Sequence, residues 1–202
     1  YSPAAGTGLS SHELNLPGCY KDVKDTSVVA QFEVTRNAKS EFLFKQPKGD
    51  VFILAWTTTP WTLPSNTALA VGDKIRYVQV NSFNQYTHKP VSIVLAKDLV
   101  SKYFSEKNKE LKLEDYKAGD KNIPFEIVQE FTGKDLVGIR YEQLMPYLQP
   151  FYDADKAFQV LAGDFVTTED GTGVVHISPT FGADDFRAAK QNGIPALTVK
   201  DE

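Results

Sequence analysis

Val51-Phe52-Ile53-Leu54-Ala55-Trp56-Thr57-Thr58-Thr59-Pro60-Trp61-Thr62-Leu63-Pro64-Ser65-Asn66 is the stretch whose reading decides the fold. Residues 51–56 form an unbroken apolar run with Val, Ile and two aromatics, the composition of a buried strand. The strand then ends in a row of hydroxyls. Three successive threonines are readily held extended because branching at Cβ favours that backbone. The prolines at 60 and 64 stop ladder pairing and leave the polar groups facing a pocket. Hydroxyls placed this way can orient water or a ribose. By residue type alone, a Thr-rich strand followed by a Pro-rich turn is equally an ordinary structural ending.

Outward from this stretch, apolar runs of the same kind recur at 28–34, 74–80, 91–96, 123–131, 158–161 and 173–178, each bounded by Gly, Pro, Asn or Asp. Their spacing predicts an α+β chain with a β-barrel-like core, either a barrel or a strongly bent sheet, and short peripheral helices at its rim. Long helical patterns between strands, which parallel βαβ winding requires, are missing. From 98 to 122 charges of both signs crowd together with scattered apolar anchors, the mark of a solvated helix or excursion. The last helix is predicted to begin near Asp184 and run through Gln191, with Gly193 placed to close it and Pro195 to prevent its return.

A second stretch with the residue types for chemistry runs from Glu169-Asp170-Gly171-Thr172-Gly173 through Val174-Val175-His176-Ile177-Ser178-Pro179 to Gly182-Ala183-Asp184-Asp185. Gly171 and Gly173 fit a tight turn, and the strand after it puts Val175 and Ile177 on one face and Val174, His176 and Ser178 on the other. Asp184 and Asp185 fall where a helix start favours carboxylates. Both cannot be the cap, so one is free to bind a cation such as an α-ammonium group. A lone histidine on a half-buried strand is more often a packing residue than a base. A Ser-His-Asp hydrolase of Ser178, His176 and Asp185 is disfavoured, since Ser178 and His176 share one strand and no G-x-S-x-G elbow is present.

A length of 202 residues suits one domain, 1–202, able to fold around a single core. No apolar stretch reaches membrane-spanning length, so no membrane role is expected. A single cysteine, Cys19, excludes an internal disulfide, and His12, His88 and His176 lack Cys or His neighbours at zinc-ligand spacing. These point to a reducing cytoplasm and no metal. A net charge of −4 argues against a surface that holds nucleic acid unaided, so any RNA partner must be presented by something else. Tyr1-Ser2-Pro3-Ala4-Ala5 has neither an initiator Met nor a signal-peptide pattern, and Lys200-Asp201-Glu202 stops without a closing element. Both ends read as cut from a longer chain.

Taken together, Thr57 to Asn66, Gly171 to His176 and Gly182 to Asp185 resemble the inserted editing domain of isoleucyl-tRNA synthetases. Weaker similarities at 20–25, at 133–138 with Tyr141, and at Pro146-Tyr147 extend the resemblance over nearly the whole chain. The sister valyl and leucyl editing domains usually carry Thr-Thr-Arg-Pro and no histidine after Gly-Thr-Gly-Ala-Val, so Thr59 and His176 point to the isoleucine branch. Phe181 departs from many bacterial members, which have His there. The parent's nucleotide-binding signatures are absent, so no cofactor is expected in this domain; ATP, Mg and any Zn would belong to the rest of the parent enzyme.

The resemblance implies post-transfer editing, in which the ester of misacylated Val-tRNA(Ile) is hydrolysed and Ile-tRNA is spared. One methylene separates the two amino acids, too little for one binding pocket to exploit fully, and isoleucyl-tRNA synthetase is itself the standing example of this limit. The implied catalytic residues are Asp185, gripping the substrate's α-ammonium group, with Thr58 and Thr59 placing the terminal adenosine and the attacking water. Thr57, Trp61, Asn66 and His176 are the further substrate-binding residues, Asn66 toward the ribose or the loop that holds it and His176 as the wall that admits valine and rejects isoleucine. Asp184 is left to the helix start. No strong base stands out, so placement of water and ester carries the reaction, helped by the neighbouring ribose hydroxyl. The implied partners are the valine-bearing 3′ end of tRNA(Ile) and the parent's catalytic domain, with the protein a monomer. Against this stand a non-catalytic β-barrel that binds an RNA end or a protein, a free-standing deacylase, and the editing domain of a sister enzyme.

Overall fold

The computed structural model describes residues 2–22 and 24–198. Tyr1 and Lys200-Asp201-Glu202, from which the ends read as cut, and Val23 within the 20–25 similarity lie outside the described residues. In chain order the strands are β1 (Val28–Glu33), β2 (Asp50–Thr57), β3 (Ala68–Val71), β4 (Arg76–Phe83), β5 (Pro90–Ala96), β6 (Glu126–Thr132), β7 (Gln159–Ala162) and β8 (Val174–Ile177). The helices are short: α1 (Ser11–Leu14), α2 (Val100–Tyr103), α3 (Gly133–Leu136) and α4 (Ala183–Gln191).

Two sheets result, one ordered β1-β2-β5-β4-β6 and one ordered β7-β3-β8. The α+β class with short helices at the periphery holds, and the β core is shared between the two sheets. Ala30 and Phe32 alternate inward from β1, as an edge strand requires, whereas β2 and β5 are buried over most of their length. Phe32, Ile53, Tyr77 and Val94 of the larger sheet and Leu69, Val160 and Val174 of the smaller one meet in one apolar cluster. Burying each such side chain contributes about 1.5–3 kcal/mol before the entropy of ordering is subtracted. β2 also packs against β8, which joins the sheets where the two motif-bearing stretches lie.

Several elements differ from the sequence reading, each for a physical reason. β3 has no counterpart there: Ala-Leu-Ala-Val is short, half alanine and buried at every position, so neither β-propensity nor alternation marks it. It lies between β7, parallel, and β8, antiparallel. β2 and β5 also pair in parallel, but β3 and β4 rather than a crossover helix stand between them in the chain. The strand expected from 74 starts at Arg76 because Ile75 N–H bonds back to Gly72 O at 3.0 Å in a turn. The 98–122 excursion breaks into α2 and single helical turns, anchored by buried Leu99, Val100 and Leu113. No helix among the described residues is long and apolar enough to cross a membrane.

Candidate functional site

β2 carries only the first threonine. Thr57 pairs with Val28 of β1 and is buried, and the chain then turns at once: Thr59 N–H donates to Thr57 Oγ1 at 3.0 Å, and the two hydroxyl oxygens lie 3.2 Å apart. The row expected to continue extended is thus a strand end followed by a side-chain-bonded turn. Thr58 and Thr59 are exposed. Pro60, whose missing N–H costs nothing at a helix start, opens a 3-10 turn over Pro60–Ser65.

The opposite wall comes from the glycine turn. Gly171 and Gly173 have φ of +70° and +74°, and a Cβ on Gly173 would stand 2.4 Å from Ala96 Cβ, so only glycine fits there. Between them the buried Thr172 donates its hydroxyl to Leu54 O at 2.7 Å, and its carbonyl accepts from Ala96 N–H at 2.9 Å. Tyr77 Oη donates to Gly173 O at 2.6 Å while accepting from Gly72 N–H at 3.1 Å. Burial pushes that phenol's pKa up, which keeps it a donor.

From this turn β8 delivers His176, opposite Leu69 of β3 and largely buried. Its Nε2 lies 3.2 Å from Thr62 Oγ1. The one hydroxyl proton of Thr62 goes to Thr59 O at 2.8 Å, since two lone-pair oxygens would otherwise face each other at that distance. Thr62 Oγ1 therefore accepts, and His176 is the neutral tautomer with its proton on Nε2. Burial lowers its pKa, with the Asp185 charge opposing. Its Nδ1 is buried without a partner among the described residues.

Asp185 closes the site from the first turn of α4. Its Oδ2 accepts from Ser178 N–H at 2.9 Å, while Oδ1 has no protein partner among the described residues. Asp184 stands in the first turn of α4, as the helix-start reading has it, but caps nothing: Gly182 occupies the N-cap with no side-chain cap, and Asp184 is exposed and lies 3.4 Å from Arg187. Ser178 Oγ donates to Thr62 O at 3.3 Å and makes no bond to His176, so the Ser-His-Asp arrangement does not form.

Thr57, Thr58, Thr59, His176 and Asp185 all line one cavity of about 410 Å³, together with Trp56 and the turn at 169–173. Two expected site residues do not join them. Asn66 is buried, its Nδ2 donating to Ala68 O at 2.8 Å and its Oδ1 accepting from Tyr141 Oη at 2.6 Å. It holds its own segment against β3, so of the two roles expected for it the structure shows it tying down the chain, with both amide atoms bonded within the protein and outside the cavity's lining. Trp61 is 60% exposed on the 3-10 turn and lies outside the lining, as does Phe181.

A larger cavity, about 850 Å³, opens beside β6 and α3. Three of its charges are already committed: Glu130 pairs with Arg76 and with Lys97, and Asp135 caps α3 through Thr132. It holds none of the site residues expected from sequence. No group of three His, Cys, Asp or Glu able to hold a metal occurs among the described residues. Residues that sequence reasoning missed are Thr62, quoted in the motif without a role, and Tyr77, Lys102 and Tyr103, which bind the glycine turn from afar and carry no local signal.

No family model matches the chain. Among curated proteins it is similar to the isoleucine–tRNA ligase of Cytophaga hutchinsonii, 65% identical over all 202 residues, and to that of Bacteroides fragilis, 62% identical over 199 residues. The corresponding ligase of Porphyromonas gingivalis is 54% identical over 203 residues. The chain spans about 17% of the length of each. Among solved structures it is similar to the P. knowlesi cytosolic leucyl-tRNA synthetase editing domain, with a TM-score of 0.58, 13% identity and coverage of 83% of this chain and 64% of that one. GlLeuRS-CP1 gives a TM-score of 0.57 at 18% identity, covering 82% and 60%. At such identities the likeness is one of fold.

Proposed function

Because the chain belongs to the isoleucine–tRNA ligase family and carries the fold of class I synthetase editing domains, we propose that it is the deacylase module of a longer synthetase, one domain over 1–202, and that it hydrolyses Val-tRNA(Ile) while sparing Ile-tRNA. The observation that carries this reading is the meeting, in one 410 Å³ cavity, of a carboxylate with a free oxygen and a row of hydroxyls from a strand more than a hundred residues away in sequence.

The amino acid's α-ammonium group sits on Asp185 Oδ1, a charge-assisted bond that the backbone bond at Oδ2 orients in advance. Thr58 and Thr59, exposed at the mouth, take the terminal adenosine and the attacking water, and Thr57 fixes Thr59 from below. Water adds to the ester carbonyl, the bond to the ribose oxygen breaks, and that oxygen leaves with a proton as valine is released. His176, buried and held by Thr62, serves as an uncharged wall against the larger side chain. Its lowered pKa and the burial of Nδ1, the nitrogen that carries the free lone pair, make it a poor base, which favours catalysis by placement with help from the neighbouring ribose hydroxyl. The chemistry needs no cofactor. The tRNA is presented by the rest of the synthetase, a cytoplasmic monomer, as the net charge of −4 on this chain requires.

Replacing Asp185 by Ala in the full-length protein abolishes deacylation of preformed Val-tRNA(Ile) and leaves isoleucine activation intact. Unchanged deacylation overturns the assignment. If the unmodified protein leaves preformed Val-tRNA(Ile) intact, the domain is the non-catalytic RNA-end or protein-binding module instead.

A further inference from the structure

Residues 169–173 all line the cavity, yet two of their carbonyls are engaged from outside it, by neighbouring side chains of α2. Lys102 Nζ donates to Glu169 O at 2.7 Å and to Asp170 Oδ1 at 2.9 Å. Tyr103 Oη donates to Gly171 O at 3.0 Å. Burial and the nearby Asp170 charge raise the pKa of that phenol, so it stays a donor through neutral pH.

α2 is itself firmly seated. Leu99 just before it and Val100 within it are buried, and Phe104 just after it packs on Phe125 with ring centroids 5.0 Å apart. Val100 and Phe125 join Leu95 of β5 in an apolar cluster separate from the main core. The element is thus braced by packing against the five-stranded sheet, while Lys102 and Tyr103 reach across to a loop 67–68 residues further along.

We propose that Lys102 and Tyr103 are positioning residues, a two-point clamp by which α2 sets the glycine-turn wall of the cavity against the threonine wall. The proposal rests on the deacylase reading for its kinetic consequence and on geometry alone for its structural one. A loop with two positive-φ glycines has many accessible conformations, and fixing two carbonyls two residues apart selects among them. Both residues act through the loop and neither lines the cavity.

The test uses Tyr103→Phe and Lys102→Met in the full-length protein, with Lys102→Arg as the conservative variant. Amide hydrogen exchange at 169–173 rises in both disruptive variants while exchange in β2 and β5 and the melting temperature stay as in the parent. Deacylation of Val-tRNA(Ile) falls about tenfold in kcat with KM within about twofold, as misplacement rather than lost binding requires, and Lys102→Arg restores most of it. Unchanged exchange at 169–173 overturns the clamp whether or not the protein deacylates tRNA. Loosened exchange with unchanged kcat overturns the positioning role, and absence of deacylation by the parent overturns the deacylase reading while the exchange result still decides the clamp.

Discussion

On its threonine side the turn itself is closed by bonds of short reach, Thr59 N–H to Thr57 Oγ1 and Thr62 Oγ1 to Thr59 O spanning two and three residues, and Thr62 beyond it is met from across the molecule, by His176 and Ser178. On its glycine side the bonds cross the molecule, with Thr172 to Leu54, Tyr77 to Gly173 and Lys102 to Asp170 spanning 118, 96 and 68 residues. Exposed Thr58 can therefore change its side chain with little effect on the rest of the fold. The second wall is coupled to the packing of both sheets through Thr172 and Tyr77, and damage to those buried bonds registers as lost stability as well as lost activity, whereas the exposed Lys102 pair acts on the loop alone.

Mutations that break this contrast scale with how deeply the altered group is built in. Gly173→Val combines a positive φ with a clash on Ala96 and costs about 3 kcal/mol or more, read from denaturant unfolding. A cost under about 1 kcal/mol would mean the wall relaxes independently of β5. Thr172→Val keeps the shape but leaves buried Leu54 O without its donor, for an expected loss of about 1–3 kcal/mol. Thr58→Val, on the exposed wall, shifts stability by no more than about 0.5 kcal/mol while lowering Val-tRNA(Ile) deacylation. An equal loss of stability at 58 and 172 would erase the distinction between the walls.

The smallest effect is in pH. His176 has a folded pKa below its unfolded value of about 6.5, so the unfolded chain binds the extra proton first. Its contribution to stability is fully present above the unfolded value and is lost as pH falls through the window down to the lowered folded one. A melting-temperature profile between neutral and mildly acidic pH should therefore fall less steeply in His176→Gln than in the parent. A parallel profile would show that another group dominates that window.

The same contrast marks what could be read from sequence. β1, β2 and β5 were legible because their side chains alternate or run apolar over enough residues to be distinctive, and α4 because Gly193 closes it, Ile194 N–H bonding back to Ala189 O at 2.9 Å. Asp185, His176 and the three threonines were legible as residue types in two motifs more than a hundred residues apart. Asn66 misled because its amide sits within the motif yet is satisfied by Tyr141, far away in sequence. Lys102 and Tyr103 were hidden for the converse reason: a mixed charge run reads as solvated face, and nothing local says which members of it reach back to the fold.

β3 carries a consequence for how the chain is made. It leaves the ribosome ahead of β7 and β8, which flank it and are synthesised about a hundred residues later. Until they arrive, Ala68–Val71 is an apolar strand with both edges open, and ladders closed over such separations form slowly. The cavity, whose second wall begins β8, is accordingly among the last parts of this chain to take shape during translation, and a nascent chain stalled before 174 would expose β3 to wrong pairing or to chaperones.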